Sequence, residues 1–181
     1  SSFSPWNIAF VTHRKAWDNQ LLTIRVALDK PLGNVSWPGG CARLIDDYGH
    51  HPTEVAVTLK AAREAFPGQR VVMVYQPHRF TRTRDHFDDF VSVLGESPIL
   101  VLLEVYAAGE TPIPGANAHA LALAIRERGG VEPRVVSDPQ ELPGVLLDLL
   151  QDRDILLMQG AGDIGRLSAT LADAGSIDVW H

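Results

Sequence analysis

Cysteine, lysine and long apolar sequence are all scarce in this chain, and each shortage removes a class of protein. A single cysteine, Cys41, leaves no intrachain disulfide and no cysteine-based zinc cluster, which points to a reducing compartment. The only lysines are Lys15, Lys30 and Lys60, none in a glycine-rich setting, and no G-x-x-x-x-G-K-[ST] phosphate loop occurs. No apolar run approaches the ~20 residues that span a bilayer, so no membrane segment is expected; residues 99–103 have the length of a buried strand. The opening Ser1-Ser2-Phe3-Ser4-Pro5 has no basic stretch followed by an apolar one, which argues against a secretory signal. With no initiator Met, the chain is expected to be a piece of something longer. Positive charge is also short: 16 Lys and Arg stand against 22 Asp and Glu, and the net charge of −6 disfavours non-specific binding to nucleic acid or anionic membrane.

What is present is a globular composition. With 181 residues, 45% apolar and 21% charged, the chain can bury one main core, and intrinsic disorder, collagen-like repeats and coiled coil are excluded as descriptions of the whole. From Arg43 onward, short apolar runs alternate with amphipathic stretches. One strand is expected to end in residues 43–46, and others to run over 70–75, 99–105, 134–136 and 154–158, that over 99–105 apolar on both faces as in a covered parallel strand. Between them, helical spacing carries Val55, Leu59, Ala62 and Phe66, with Pro52 in the first turn, and then Phe87, Phe90, Val91 and Leu94, closed by Gly95. Asn117 is placed to cap a helix through Ile125; Leu142, Val145, Leu146 and Leu149 mark another, and Ile164, Leu167, Leu171 and Ala174 the last. This β-α-β-α alternation predicts an α/β fold: a Rossmann-like, doubly wound, mostly parallel open sheet with helices on both faces.

Residues 1–42 differ in character. They hold three of the four tryptophans and are net basic, with Arg14, Lys15, Arg25 and Lys30 against Asp18 and Asp29. Residues 7–12 and 21–28 read as two strands of an antiparallel hairpin at a sheet edge. Pro38-Gly39-Gly40 reads as a loop or boundary, so the α/β unit is expected over 43–181 and residues 1–42 as a divergent lead-in.

In open α/β sheets ligands bind beyond the carboxyl ends of the strands, and here those positions are polar. They are Asp46-Asp47-Tyr48-Gly49-His50-His51, Gln76-Pro77-His78-Arg79-Phe80-Thr81-Arg82, Tyr106-Ala107-Ala108-Gly109-Glu110 and Gln159-Gly160-Ala161-Gly162-Asp163. Carboxylate, imidazole and guanidinium groups converging on one rim suit an anionic substrate held beside a nucleotide, although polar residues also belong in any loop. Arg79 and Arg82, three apart in a loop leading into a helix, offer two guanidinium forks for a carboxylate or phosphate. Gly160-Ala161-Gly162-Asp163-Ile164-Gly165 fits G-x-G-x-x-G, but on the last strand, where a tight turn explains it better than a dinucleotide. Asp47, His50, His51 and His78 are residue types that bind zinc or manganese, yet no helical His-x-x-x-His spacing fixes a geometry, and no metal site is assigned. A nicotinamide-dependent oxidoreductase domain and a non-catalytic binding module remain open beside an enzyme of anionic substrates.

Four motifs in order over residues 43–171 resemble the carboxy-terminal domain of the Mur ligases: Asp46-Asp47-Tyr48-Gly49-His50-His51-Pro52-Thr53-Glu54, Tyr75-Gln76-Pro77-His78-Arg79-Phe80-Thr81-Arg82-Thr83, Val105-Tyr106-Ala107-Ala108-Gly109-Glu110 with Pro112-Ile113-Pro114-Gly115-Ala116, and Gln159-Gly160-Ala161-Gly162-Asp163-Ile164-Gly165. Within the family they are most similar to the members that join L-alanine to UDP-N-acetylmuramate. The resemblance implies ATP-dependent peptide-bond formation in the cytoplasmic assembly of the peptidoglycan precursor. There a carboxylate is activated as an acyl phosphate with ATP and Mg2+ and is then attacked by the amino group of L-alanine. It also implies roles: Asp47 on the ATP ribose, Tyr48 and His50 at the reaction centre, and Arg79 and Arg82, with His78 beside them, on the amino acid's carboxylate. The family's phosphate loop lies in a central domain and its UDP-sugar site in an amino-terminal one, so ATP and Mg2+ are expected to be held mainly outside this sequence, with those two domains as partners. A Gly-x-x-Arg-Arg-Phe-like strand, expected shortly before Asp46, is not found in residues 1–42.

Overall fold

The computed structural model describes residues 8–14, 21–27 and 33–177. β3 (Gly33–Trp37), β4 (Gly40–Asp47), β5 (Val71–Tyr75), β6 (Ile99–Leu103), β7 (Arg134–Val136) and β8 (Ile155–Gln159) form one six-stranded sheet. Its order is β3-β4-β8-β5-β6-β7, parallel throughout except for the antiparallel β3–β4 pair at one edge. β5 and β8 are buried along their whole length, as their unbroken apolar runs require of strands covered on both sides.

Period-two alternation sorts the strand side chains into two cores. Ile45, Met73, Tyr75, Leu100, Leu102, Ile155 and Leu157 face α1 (Pro52–Ala65), α3 (Phe87–Leu94) and α4 (Ala118–Glu127). Leu44, Val72, Val74, Val101, Leu103, Leu156 and Met158 face α5 (Leu142–Leu149) and α6 (Ile164–Ala174). Asn117 caps α4 by accepting from the Ala120 amide at 2.8 Å, as its residue type suggests. α5 is preceded by a short 3-10 turn, Pro139–Glu141, because Pro139 and Pro143 supply no amide hydrogen and suit first turns.

Two expectations change. β1 (Ile8–Arg14) and β2 (Leu21–Ala27) pair antiparallel, but as a separate two-stranded sheet rather than as an edge of the main one. The edge is β3, and Pro38-Gly39 is a hairpin turn with Gly39 at φ +106°, between Trp37 and Gly40, which face each other in register. β3 escaped a reading by periodicity because Val35 is its one wholly buried apolar side chain. A short helix, α2 (Phe80–Asp85), also precedes α3, so Arg82 lies on a helix and not in the loop expected there; Arg79 occupies the position before its first turn but makes no capping bond with its side chain.

Candidate active site at the strand ends

Asp47 closes β4, opposite Gln159 in the register with β8, and Gln159 stands opposite Tyr75 at the end of β5. Three strand ends thereby meet at one level. The Asp47 Oδ2 accepts from Thr58 Oγ1 on α1 and from Gln159 Nε2, both at 2.7 Å. Gln159 is wholly buried and its Oε1 finds no partner among the described residues, so the amide is oriented by Asp47. Burial pushes the Asp47 carboxyl above its ordinary range, while Thr58 and the Gly49 and Tyr48 amides pull it back down. A side chain at Gly49 would put its Cβ within 2.8 Å of Gln159 Nε2 and 3.0 Å of Asp47 Oδ2, which is why this turn carries glycine.

The turn delivers Tyr48 to the surface, 71% exposed, with its ring edge-on to His50 at a centroid distance of 5.8 Å. Glu54 holds the turn by accepting from the amides of His50 (2.7 Å) and His51 (3.2 Å) at the start of α1. The buried Tyr75 hydroxyl donates to the His50 carbonyl at 3.2 Å. His50 in turn lies 5.6 Å from His78, which follows β5, and Arg82 Nη1 lies 3.0 Å from His78 Nδ1. Tyr48, His50, His78 and Arg82 therefore form one continuous row, while Asp47 makes its bonds to the side of it. Arg79 is exposed, with φ +71° and ψ 137°, a conformation costly for any residue with a Cβ.

Neighbouring groups that the sequence had not assigned support this row. Glu110, in the loop after β6, accepts from Thr81 N at 3.1 Å and Thr81 Oγ1 at 2.5 Å. It thus supplies the cap that α2 lacks at its own N-terminus, and these bonds hold its carboxyl below the ordinary range. Tyr106 stacks on His78. Glu110 and Tyr106 sit in polar positions just past a strand, a signal open to inspection; Thr58, on a helix face, had none.

The remaining sequence readings find their places. The Ile164 amide at the start of α6 donates to Gln76 Oε1 at 3.0 Å, and a Cβ on Gly162 would come within 2.6 Å of the Tyr106 side chain. The glycine motif is a close-packed turn whose amide is already used, leaving a pyrophosphate little to bind. His51 pairs with His86, at 4.6 Å, rather than joining His50 and His78. Among the described residues no group of three or more His, Cys, Asp or Glu is placed to hold a metal, so Asp47, His50, His51 and His78 do not form one. No helix among them is long and apolar enough to cross a membrane.

Comparison with known proteins places the chain in a family. Residues 35–162 match the family model described as Mur ligase, glutamate ligase domain. Among solved structures, the chain is similar to the UDP-N-acetylmuramate-alanine ligase of Thermotoga maritima, with 26% identity and a TM-score of 0.57, over 74% of this chain and 26% of that one. It is also similar in fold to a murein peptide ligase of Psychrobacter arcticus, with 17% identity and a TM-score of 0.55, over 72% of this chain and 27% of that one. The chain spans about a quarter of the length of these two enzymes.

Proposed function

Because the chain belongs to the Mur ligase family, matched across its glutamate ligase domain, we propose that it is the carboxy-terminal wall of an ATP-dependent ligase that joins L-alanine to UDP-N-acetylmuramate in the cytoplasm. The observation that carries this reading is the row from Tyr48 through His50 and His78 to Arg82, set beside Asp47 where three parallel strands end. In it Arg79 and Arg82 take the carboxylate of L-alanine, since planar guanidinium forks pair with carboxylates through two parallel bonds. Tyr48 and His50 line the space beside the incoming amino group. Asp47 suits a ribose hydroxyl of ATP: two donors on Oδ2 fix the plane of its carboxylate, and it is only half-buried.

When bound, ATP would supply the phosphoryl group that activates the acid, and Mg2+ would neutralise the charge on its phosphates. Phosphoryl transfer needs amides, a lysine and metal ligands around the β- and γ-phosphates. No phosphate loop is present in the sequence and no metal-holding group among the described residues, so those parts belong to the central domain of the family, and the UDP-sugar to its amino-terminal domain. This chain contributes orientation of the amino acid and of the ribose, and closure of the cleft excludes water.

The test is phosphate release that requires both L-alanine and UDP-N-acetylmuramate, measured with this chain alone and with Mur central and amino-terminal domains joined to it. Turnover in the joined protein only, and with L-alanine rather than with a peptide such as L-alanyl-D-glutamyl-diaminopimelate, is the expected result. Robust turnover by the 181 residues alone would overturn the division of labour. Preference for the peptide would overturn the assignment of L-alanine while keeping the ligase.

A further inference from the structure

The imidazole of His78 is held on three sides. Its backbone forms an isolated parallel bridge with Tyr106: the Tyr106 amide donates to the Pro77 carbonyl and the Arg79 amide to the Tyr106 carbonyl, each at 2.8 Å. Its ring stacks on that of Tyr106, with centroids 5.5 Å apart and 17° between planes. Its Nδ1 lies 3.0 Å from Arg82 Nη1, which also donates to the His78 carbonyl at 3.1 Å. A guanidinium has donors only and stays charged at any pH a protein survives. An Nδ1 facing it at that distance must present a lone pair, which puts the histidine proton on Nε2 and excludes the imidazolium.

We propose that His78 is the positioning residue of the arginine pair: neutral and protonated on Nε2, it holds Arg82 through Nδ1 and so sets the Nη2 and Nε edge that receives the amino acid's carboxylate. This rests on the carboxylate reading of Arg79 and Arg82 given above. It also departs from a direct role for His78, in which an imidazolium would itself grip the carboxylate. The groups facing His78 are Arg82 on α2, Arg79 at its cap, His50 from the turn after β4 and Glu110 from the loop after β6. Burial, Arg82, His50 and Arg79 all favour the neutral ring, and only Glu110 opposes them. The two roles differ in sign. A gripping imidazolium binds carboxylate more tightly in acid, whereas a positioning acceptor loses its hold on Arg82 when it is protonated.

The test has two arms on the full chain. In the first, long-range 1H–15N spectra, with His78 assigned by its loss in His78→Asn, give the tautomer, and a pH series gives the titration of His78 with and without Arg82→Met. The expected result is an Nε2–H tautomer whose pKa rises when Arg82 is removed. An Nδ1–H tautomer, an imidazolium at pH 7.5, or a pKa indifferent to Arg82→Met overturns the proposal. In the second arm, L-alanine is titrated at pH 7.5 and at one unit below the measured His78 pKa. Wild-type affinity falls about tenfold, as the neutral fraction does, whereas His78→Asn, which keeps an acceptor and cannot titrate, stays within about threefold. Tighter wild-type binding in acid overturns the proposal. Complete absence of L-alanine binding at both pH values counts against the carboxylate reading of the site, and the first arm still decides the coupling of His78 to Arg82.

Discussion

Replacing Arg79 by glycine should raise the stability of the fold while removing a group that the function needs. Arg79 sits at φ +71° and ψ 137°, where a Cβ crowds the backbone. Such a conformation costs about 1–3 kcal/mol and persists only where the surroundings over-determine it. Here they do: the Arg79 amide donates to Tyr106 O at 2.8 Å, and its carbonyl accepts from Thr83 N at 3.2 Å and Thr83 Oγ1 at 2.9 Å. None of those bonds involves the side chain, so all survive substitution. Arg79→Ala removes the guanidinium and keeps the strain; Arg79→Gly removes both. Glycine gives back about 0.5–1 kcal/mol through the greater freedom of the unfolded chain. The net advantage of glycine over alanine is therefore about 1 kcal/mol, or about 3 °C in melting temperature for a domain of this size. Differential scanning calorimetry of the two variants measures it with the loss of charge cancelled. Equal melting temperatures, or a more stable Arg79→Ala, would refute the strain argument. In the joined ligase both variants should raise the Michaelis constant for L-alanine by about one to two decades, as expected for the loss of a charged hydrogen-bonding partner, with little change for ATP. A collapse of ATP binding with L-alanine untouched would show that the role belongs elsewhere.

Asp154, 3% exposed, takes two bonds from Arg70 (3.0 and 2.6 Å) and one from the Gln151 amide (2.7 Å), so Asp154→Ala, which removes all three and leaves Arg70 its bond to the Leu149 carbonyl, should cost about 1.5–3 kcal/mol in urea denaturation; a loss below about 1 kcal/mol would contradict it. Gly162→Ala must displace the Tyr106 ring, whose Cβ and Cγ lie 2.6 Å from the new methyl, and should cost about 1–3 kcal/mol; titration with NAD or NADP should show no binding to either protein. Burial holds both His51 and His78 below the ordinary value of 6.5, with His86 adding to the effect on His51 and Arg82 to that on His78. The unfolded chain therefore takes up these protons first, and their contribution to stability, complete above pH 6.5, is lost as pH falls through their folded pKa values. Asp46 and Asp47 are raised above 3.8, chiefly by burial, so they act with opposite sign, their contribution present below 3.8 and lost as pH rises through the folded values. Denaturation midpoints measured from pH 7.5 to 5 should fall for the wild type and flatten in the His51→Asn, His78→Asn double variant; an unchanged slope would refute the assignment.

Much of this protein could be read from its residues one at a time. β5 and β8 announce themselves as apolar runs, α1 by the spacing of Val55, Leu59 and Ala62 after Pro52, and α4 by Asn117 at its cap. These signals are local, fixed by periods of two and 3.6 and by backbone groups left unpaired at helix ends. β3 carried no such period, since an edge strand needs only one face covered, and its place was decided by pairing with β4. The separation of β1–β2 from the main sheet is likewise a matter of which strands find each other, which no propensity encodes.

Which residues stand at the strand ends follows from the order of residues alone, because each polar motif follows an apolar run that must be covered. That places Asp47, Tyr48, His50, His78, Arg79 and Arg82 on one rim before any coordinate is known. How they divide is set by the folded arrangement. It joined His50, His78 and Arg82 in one row, tied Asp47 to Thr58 and Gln159, turned His51 toward His86, and bent Arg79 into a strained cap held by Tyr106. The difference is one of range. Covering an apolar strand is a demand each segment makes alone, whereas a hydrogen bond between Gln159 and Asp47, or a ring stacked between His78 and Tyr106, depends on the parallel register that brings distant segments level.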